Sequence, residues 1–212
     1  TNAASTLPGG WGFSESPGNT TYSAGTGSSA TGDTYSFGTA AADRASCGLL
    51  SGSVTPTIGA RFKNNTTQTI ASLVVSYTGE QWRIGALGRE DRLDFQLSTS
   101  ATSLTTGTWS DVNGLDFVAP NTTSALGALD GNALANRTAV AFTITGLSIA
   151  PGAEFWFRWN DLNATGSDDG LAIDDFTITP VGVLSLSALK SADAILPPSA
   201  PGDRIEYTIL VG

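Results

Sequence analysis

Alternation of apolar and polar residues is the dominant pattern in the middle of the chain. Within residues 155–159, three large apolar residues alternate with Trp156 and Arg158. The same period of two recurs in the segments 58–63, 72–78, 93–98 and 140–145. A period of two with one polar face predicts antiparallel strands that each place one face on a core. Gly, Pro, Asn and Ser cluster in the connections, as turns require. We therefore predict an all-β fold, an antiparallel β-sandwich of jelly-roll type.

One segment breaks this alternation. Residues 165–179 read TGSDDGLAIDDFTIT, and the apolar phase shifts between Ile173 and Phe176. A shift of phase inside a strand indicates an extra residue, so we predict a β-bulge at Asp174–Asp175. The two Asp-Asp pairs of this segment also crowd like charges, which costs free energy unless a cation or a set of donors compensates them.

The pattern changes again after Pro180. We predict a β-sandwich module over residues 1–180 and a C-terminal extension of two strands over 181–212. A two-stranded hairpin is marginal in water, so the apolar face of the segment 205–211 needs another surface. That surface is either this sandwich or a second molecule, which would give a homo-oligomer or polymer by β-strand addition. The segment 126–137 is the only one compatible with a helix, and Gly131 favours a loop with one helical turn there.

Composition limits the classes of function that the chain can have. The chain has 212 residues, of which 14% are charged, and its net charge is −9. An acidic surface disfavours binding to nucleic acid. No apolar run approaches the roughly 20 residues that cross a membrane. The sequence has no Met and begins with Thr1, which predicts a processed product of an exported protein, extracellular or on the cell surface.

Three motifs resemble a known module. They are YTGEQWR (77–83), NRTAVAFTITGLSIAPGAEFWFRW (136–159) and GSDDGLAIDDF (166–176). Together they resemble a β-sandwich module of secreted bacterial proteins that carry cell-surface sorting signals, and less strongly the MAM adhesion domain. The resemblance implies a non-catalytic accessory module. The tail LSLSALKSADAILPPSAPGDRIEYTILV resembles the first half of an immunoglobulin-like bacterial surface-repeat domain.

Several catalytic arrangements are excluded by the residues themselves. The sequence has no His, so it can build neither a Ser–His–Asp triad nor a His-ligated zinc site. The lone Cys47 cannot form an internal disulfide and lacks an activating His. Glycoside hydrolysis needs only two carboxylates, but Arg92 stands where the pattern 89–95 would need a further acid. We predict that the protein is not an enzyme.

Calcium chemistry fits the sequence better. Calcium takes six to eight oxygen ligands from carboxylates, amides and main-chain carbonyls. The segment 160–175 is rich in such oxygens, so we predict a structural calcium site there. An alternative is that Asp168 and Asp169 form a solvated turn before Gly170, and that Asp174 or Asp175 accepts main-chain N–H bonds or pairs with an arginine such as Arg83. The candidate metal ligands are Asp161, Asn163, Asp168, Asp169, Asp174 and Asp175.

Two tryptophan-bearing segments are candidate ligand sites. Trp82 has polar neighbours and is predicted to follow a strand, a combination typical of a sugar-binding platform. The alternative is a tryptophan lid on the end of the sandwich with a Glu–Arg pair. Trp156 faces opposite to its apolar neighbours, so we expect it to be exposed or to meet a second layer. The candidate ligand-binding residues are Glu80, Gln81, Trp82, Arg83 and Trp156.

Two functions follow from this pattern. The first is a non-catalytic extracellular structural or adhesive surface protein that self-assembles through its C-terminal strands. The second is a carbohydrate-binding accessory module of a larger secreted enzyme, which binds a glycan.

Overall fold

The computed structural model describes residues 7–18, 21–40 and 43–182. The predicted strands of the tail, beyond residue 182, lie outside these ranges. The described chain forms strands and two short 3-10 helices, Asn113–Leu115 and Leu134–Asn136. The strands are β1 (Trp11–Glu15), β2 (Tyr22–Gly25), β3 (Asp33–Phe37), β4 (Ala45–Leu49), β5 (Pro56–Lys63), β6 (Ile70–Ile84), β7 (Arg92–Ser98), β8 (Ser110–Asp111), β9 (Phe117–Val118), β10 (Gly127–Ala128), β11 (Arg137–Ile144), β12 (Glu154–Asp161) and β13 (Gly170–Gly182).

Two sheets form the sandwich. Sheet A has the spatial order β1-β5-β12-β7-β8, and β9 also pairs with β7. Sheet B has the order β10-β6-β13-β4-β3-β2, and β11 also pairs with β6. All pairs are antiparallel except β2 with β3, which are parallel. The all-β sandwich is confirmed, with this one departure from a purely antiparallel fold.

The parallel pair has a local cause. Residues 26–32 connect β2 to β3, and this crossover segment is fixed to the strands by hydrogen bonds. The Tyr35 hydroxyl donates to the carbonyl of Thr31 at 2.8 Å, and Arg83 Nη1 donates to that of Gly27 at 3.1 Å. The crossover therefore adds a short layer beside sheet B.

The core is aromatic and lies between the sheets. Trp159 is fully buried, with ring centroids 5.0 Å from Phe95, 5.4 Å from Tyr77 and 5.8 Å from Trp11. Since Tyr77 belongs to sheet B and Trp159 to sheet A, this contact joins the two layers. Edge-to-face aromatic pairs add about 0.5–1.5 kcal/mol to the free energy of area burial. The alternation in β12 is confirmed, because Phe155 and Phe157 are buried with Trp159.

The predicted bulge is present in β13. The register with β6 shifts between Asp174 and Thr177, and Asp175 has a φ of 52°. The left-handed conformation at Asp175 lets Phe176 turn towards the core, 5.7 Å from Trp159. The segment 126–137 contains β10 and a single 3-10 turn, as expected for an interrupted loop. Within the described ranges, the helices are all too short and too polar to cross a membrane.

Candidate functional site

Trp82 lies inside β6 and has no exposed surface. The expectation that it follows a strand and offers a sugar-stacking face is therefore wrong. Its ring stacks on Phe37 at 6.0 Å, and Gly131 packs against its indole so closely that a Cβ there would lie 2.4 Å from the ring. The indole is covered by a loop more than forty residues away in sequence. That cover could not be read from the local pattern.

Glu80 and Gln81 are also buried in β6. The Trp82 Nε1–H donates to Glu80 at 2.9 Å. Burial, together with the nearby charges of Asp174 and Asp43, raises the pKa of Glu80 to about 7. The side chain of Gln81 donates to Asp169 at 2.7 Å and to the carbonyl of Asn121 at 2.8 Å. Both side chains are thus buried and hydrogen-bonded inside the sandwich, and Gln81 links β6 to Asn121 and Asp169.

The first Asp-Asp pair belongs to a buried acid cluster, which we define as Asp91, Asp161, Asp168 and Asp169. Asp169 accepts hydrogen bonds from Gly85 N at 2.8 Å and from Gln81, and its own main-chain N–H donates to Asp91 at 2.7 Å. Arg89 reaches both carboxylates, at 2.9 Å from Asp91 and 3.5 Å from Asp169. Arg89 is thus the cation that compensates Asp91 and Asp169, and the alternative of a solvated turn at Asp168–Asp169 is wrong, because both side chains are buried.

Asp161 differs from Asp169 because one of its two carboxylate oxygens has no hydrogen-bond partner among the described residues. It is 2% exposed, and its Oδ2 accepts a hydrogen bond from Leu50 N at 3.1 Å. Its Oδ1 is buried and has no hydrogen-bond partner among the described residues. Burial, and then the charges of Asp91 and Asp168, raise the pKa of Asp161 well above its usual value.

The second Asp-Asp pair lies elsewhere on the sandwich. Asp174 is half-buried in the bulge and accepts a hydrogen bond from Asp175 N at 2.8 Å, and Asp175 is exposed. Asn163 is exposed in the loop after β12. The six predicted ligands therefore do not form one set. Across the described ranges, no three acidic or cysteine side chains are gathered so that they alone could hold a metal ion.

The outer surface of sheet A carries a different arrangement. Because Trp159 and its alternate neighbours face the core, Trp156, Arg158 and Asn160 point away from it. Hydrogen bonds join polar side chains across four adjacent strands of this surface. Thr57 donates to Asn160 at 2.9 Å, Asn160 and Arg158 donate to Gln96 at 2.8 and 2.7 Å, and Gln96 donates to Asp111 at 2.6 Å.

Two tryptophans flank this row of polar groups. The guanidinium of Arg158 lies 4.1 Å from the ring centre of Trp109, a cation–π contact. Arg158 also donates to the carbonyl of Leu104 at 2.6 Å, so the loop 99–109 lies over one part of this surface. Trp156 is half-buried, and its Nε1 is a buried donor without a partner among the described residues. We call this surface the Trp156 face; it comprises Thr57, Gln96, Trp109, Trp156, Arg158 and Asn160.

The chemistry of the Trp156 face suits a polyhydroxylated ligand. Amide, guanidinium and hydroxyl groups fix the positions of hydroxyls, and a tryptophan provides an apolar ring for the faces of sugar carbons. Sequence reasoning identified Trp156 but missed the other five residues. The outward parity of Arg158 and Asn160 was visible in the alternation of β12, whereas the pairing of β12 with β7 was not.

The comparisons with known proteins gave structural likenesses only. No family model matches the chain, and no curated protein matches it. The K3 cleaved adhesin domain of Lys-gingipain from Porphyromonas gingivalis is 13% identical, with a TM-score of 0.49, and the match covers 81% of this chain and 93% of that chain. The module TmCBM61 in complex with β-1,4-galactotriose is 9% identical, with a TM-score of 0.35 and coverage of 66% and 72%.

A third solved structure is much longer than this chain. The enzymatically active domain of tailspike protein 4 from bacteriophage CBA120 is 10% identical, with a TM-score of 0.41. The match covers 82% of this chain but only 20% of the tailspike chain.

Proposed function

We propose that this sandwich is a non-catalytic, extracellular binding module and that its ligand is a glycan held on the Trp156 face. The observation that carries the proposal is the row of amide and guanidinium groups between Trp156 and Trp109. These groups hold one another in place before a ligand arrives, so little side-chain entropy is lost on binding. Trp156 adds the open part of its ring, since the residue is half-buried and its Nε1 is not accessible.

The absence of catalysis is part of the proposal. Carboxylates on the outer surface of sheet A are already engaged, since Asp111 accepts a hydrogen bond from Gln96, Asp94 pairs with Arg92 at 2.7 Å, and Glu154 pairs with Arg61 at 3.7 Å. A face of this kind holds a sugar without cleaving it.

A glycan array followed by calorimetry tests the proposal. We expect the whole chain to bind one class of oligosaccharide, and Trp156→Ala to weaken that binding by about 2 kcal/mol, roughly 30-fold in Kd. Gln96→Ala should weaken it as well, because Gln96 is the centre of the hydrogen-bonded row.

Phe142→Ala is the matched control, because Phe142 is an aromatic residue of sheet B that is 45% exposed. It should bind like the unmodified protein. Equal losses in the Trp156 and Phe142 variants, or no binding to any glycan, would refute the assignment.

Adhesion through self-association is the second candidate. The strand β11 pairs only with β6 among the described strands, and its side chains are exposed along most of its length. An edge strand of this kind can receive a strand from another molecule. The donor proposed from the sequence is the segment 205–211.

Multi-angle light scattering separates the two arrangements. The whole chain is compared with a chain that ends at Gly182, the last residue of β13. Assembly of the whole chain alone supports strand donation, whereas two monomers would leave glycan binding as the only candidate.

A further inference from the structure

Asp161 Oδ1 is one of five buried side-chain polar atoms in the described sandwich that have no hydrogen-bond partner, and the one that belongs to a carboxylate. A carboxylate that is 2% exposed normally has every oxygen hydrogen-bonded, because leaving one unpaired costs the full desolvation free energy. Here Oδ2 has a donor in Leu50 N, but Oδ1 has none among the described residues. Such an atom indicates a missing partner.

The charges around Asp161 indicate what kind of partner is missing. Four carboxylates meet at this end of the sandwich, and among the described residues their ion pairs are made by Arg89. Arg89 contacts Asp91 and Asp169, and Asp161 and Asp168 have no ion pair within the described ranges. The local excess of charge is therefore negative, and either a bound cation or a proton on Asp161 would correct it.

Asp168 connects the acid cluster to a cleft that is open to solvent. Asp168 accepts a hydrogen bond from Ala164 N at 2.8 Å, and it lines a cleft of about 300 Å³ between the loops at this end of the sandwich. The segments 49–52 and 166–168 also line this cleft, and so does Arg83, whose Nη1 donates to the carbonyl of Gly27. Asp161 is joined to the lining through Leu50, whose main-chain N–H it accepts. Hard cations bind through a mixture of carboxylate, carbonyl and water oxygens.

We propose that Asp161 and Asp168 bind one calcium ion at the inner end of this cleft, with water and main-chain oxygens completing its coordination. The site needs only two carboxylates, so it agrees with the lack of a three-acid group in the described ranges. It excludes the bulge carboxylates Asp174 and Asp175, which the sequence placed in the same set. The ion would tie the loop 162–169 to the ends of β4 and β12.

Calcium titration of the chelator-treated protein tests this site. We expect calorimetry to give one ion per chain, and calcium at about 100 times its Kd to raise Tm by about 5–10 °C. Asp161→Asn should remove that rise and should also raise the Tm of the calcium-free protein, because it takes away the unpaired charge. Asp168→Asn should also weaken calcium binding. It replaces Asp161→Asn as the test if that variant does not fold.

Asp174→Asn is the matched control, since it neutralises a half-buried aspartate of the other pair. It should keep the full response to calcium, and Trp156→Ala should do so too, which separates this site from the glycan proposal. Three results would overturn the inference: no heat and no change in Tm with calcium, a response that survives in Asp161→Asn, or a response lost in Asp174→Asn. In the first case Asp161 carries a proton in place of the ion.

Discussion

Two tryptophan-bearing strands of the sandwich differ both in sequence and in the burial of their tryptophans. In β6, Trp82 lies between Gln81 and Arg83, and in β12, Trp156 lies between Phe155 and Phe157. Trp82 is 0% exposed, whereas Trp156 keeps part of its surface open. The tryptophan with polar neighbours is the buried one, so local composition does not separate a core residue from a binding residue.

The difference comes from the chain that lies over each strand. Arg83 holds the crossover segment 26–32 beside β6, and Gly131 closes over the indole of Trp82. On sheet A, the loop 99–109 reaches only part of the surface, where Leu104 packs against Gly59. A tryptophan becomes a candidate for recognition where no distant segment covers it.

The largest effect that tests this comparison is on stability. Trp82→Ala removes a fully buried ring and should lower the free energy of unfolding by about 3–5 kcal/mol. Trp156→Ala should lower it by about 1 kcal/mol, because part of that ring already contacts water. Urea unfolding of both variants measures the difference, and equal losses would show that Trp156 is also a core residue.

The second prediction concerns how the stability of the protein depends on pH. The pKa of Glu80 is about 7 in the folded protein and close to 4.5 when unfolded, so between these values the folded state binds the extra proton. The contribution of Glu80 to stability is therefore present in full below pH 4.5 and is lost as pH rises through 7, by up to about 3 kcal/mol. The pKa values of Asp161, Asp168, Asp169 and Asp174 are also raised and act in the same direction.

Thermal unfolding between pH 5 and pH 8 measures this dependence. Tm should fall with rising pH, and Glu80→Gln should reduce the slope, because the glutamine oxygen still accepts the Trp82 N–H without titrating. A variant whose slope matches that of the unmodified protein would place the titrating group elsewhere in the sandwich.

Alternation along the chain was sufficient to predict which face of a strand packs on the core and where one strand is bulged. The parity of Phe155, Phe157 and Trp159 gave the inner face of β12, and the phase shift at Ile173–Phe176 gave the bulge. Both signals are local, since side chains alternate within a single strand and a bulge changes the phase within a few residues. Neither needs knowledge of a distant partner.

The site was predicted only in part, because its contacts join residues that are far apart in sequence. Gln96 reaches Arg158 across 62 positions of sequence, and Asp161 meets Asp91 only because β12 pairs with β7. Without strand order, a short acidic segment suggested one calcium site from residues that the sheet separates. Strand order divides the aspartates between the acid cluster and the bulge.

A third prediction concerns the cover over Trp82. Gly131→Ala places a Cβ about 2.4 Å from the indole, so the loop or the ring must shift, and we expect a loss of about 1–3 kcal/mol. Gly12→Ala is the control, because a Cβ at Gly12 meets nothing within 4 Å. Chemical denaturation of the two variants, with tryptophan fluorescence to follow the indole, gives the comparison. A neutral Gly131→Ala would mean that the cover over Trp82 is loose.

The smallest effect is expected on the Trp156 face itself. Gln96 accepts hydrogen bonds from Arg158 and Asn160, but the face is open, so water can replace these bonds when Gln96→Ala removes them. The cost in unfolding free energy should be about 1 kcal/mol, the net value of an ordinary hydrogen bond. Urea unfolding would measure that cost beside the loss of glycan affinity in the same variant. A loss of stability as large as that of Trp82→Ala would make this row a structural brace, whereas a small loss with weakened glycan binding fits a surface built for recognition.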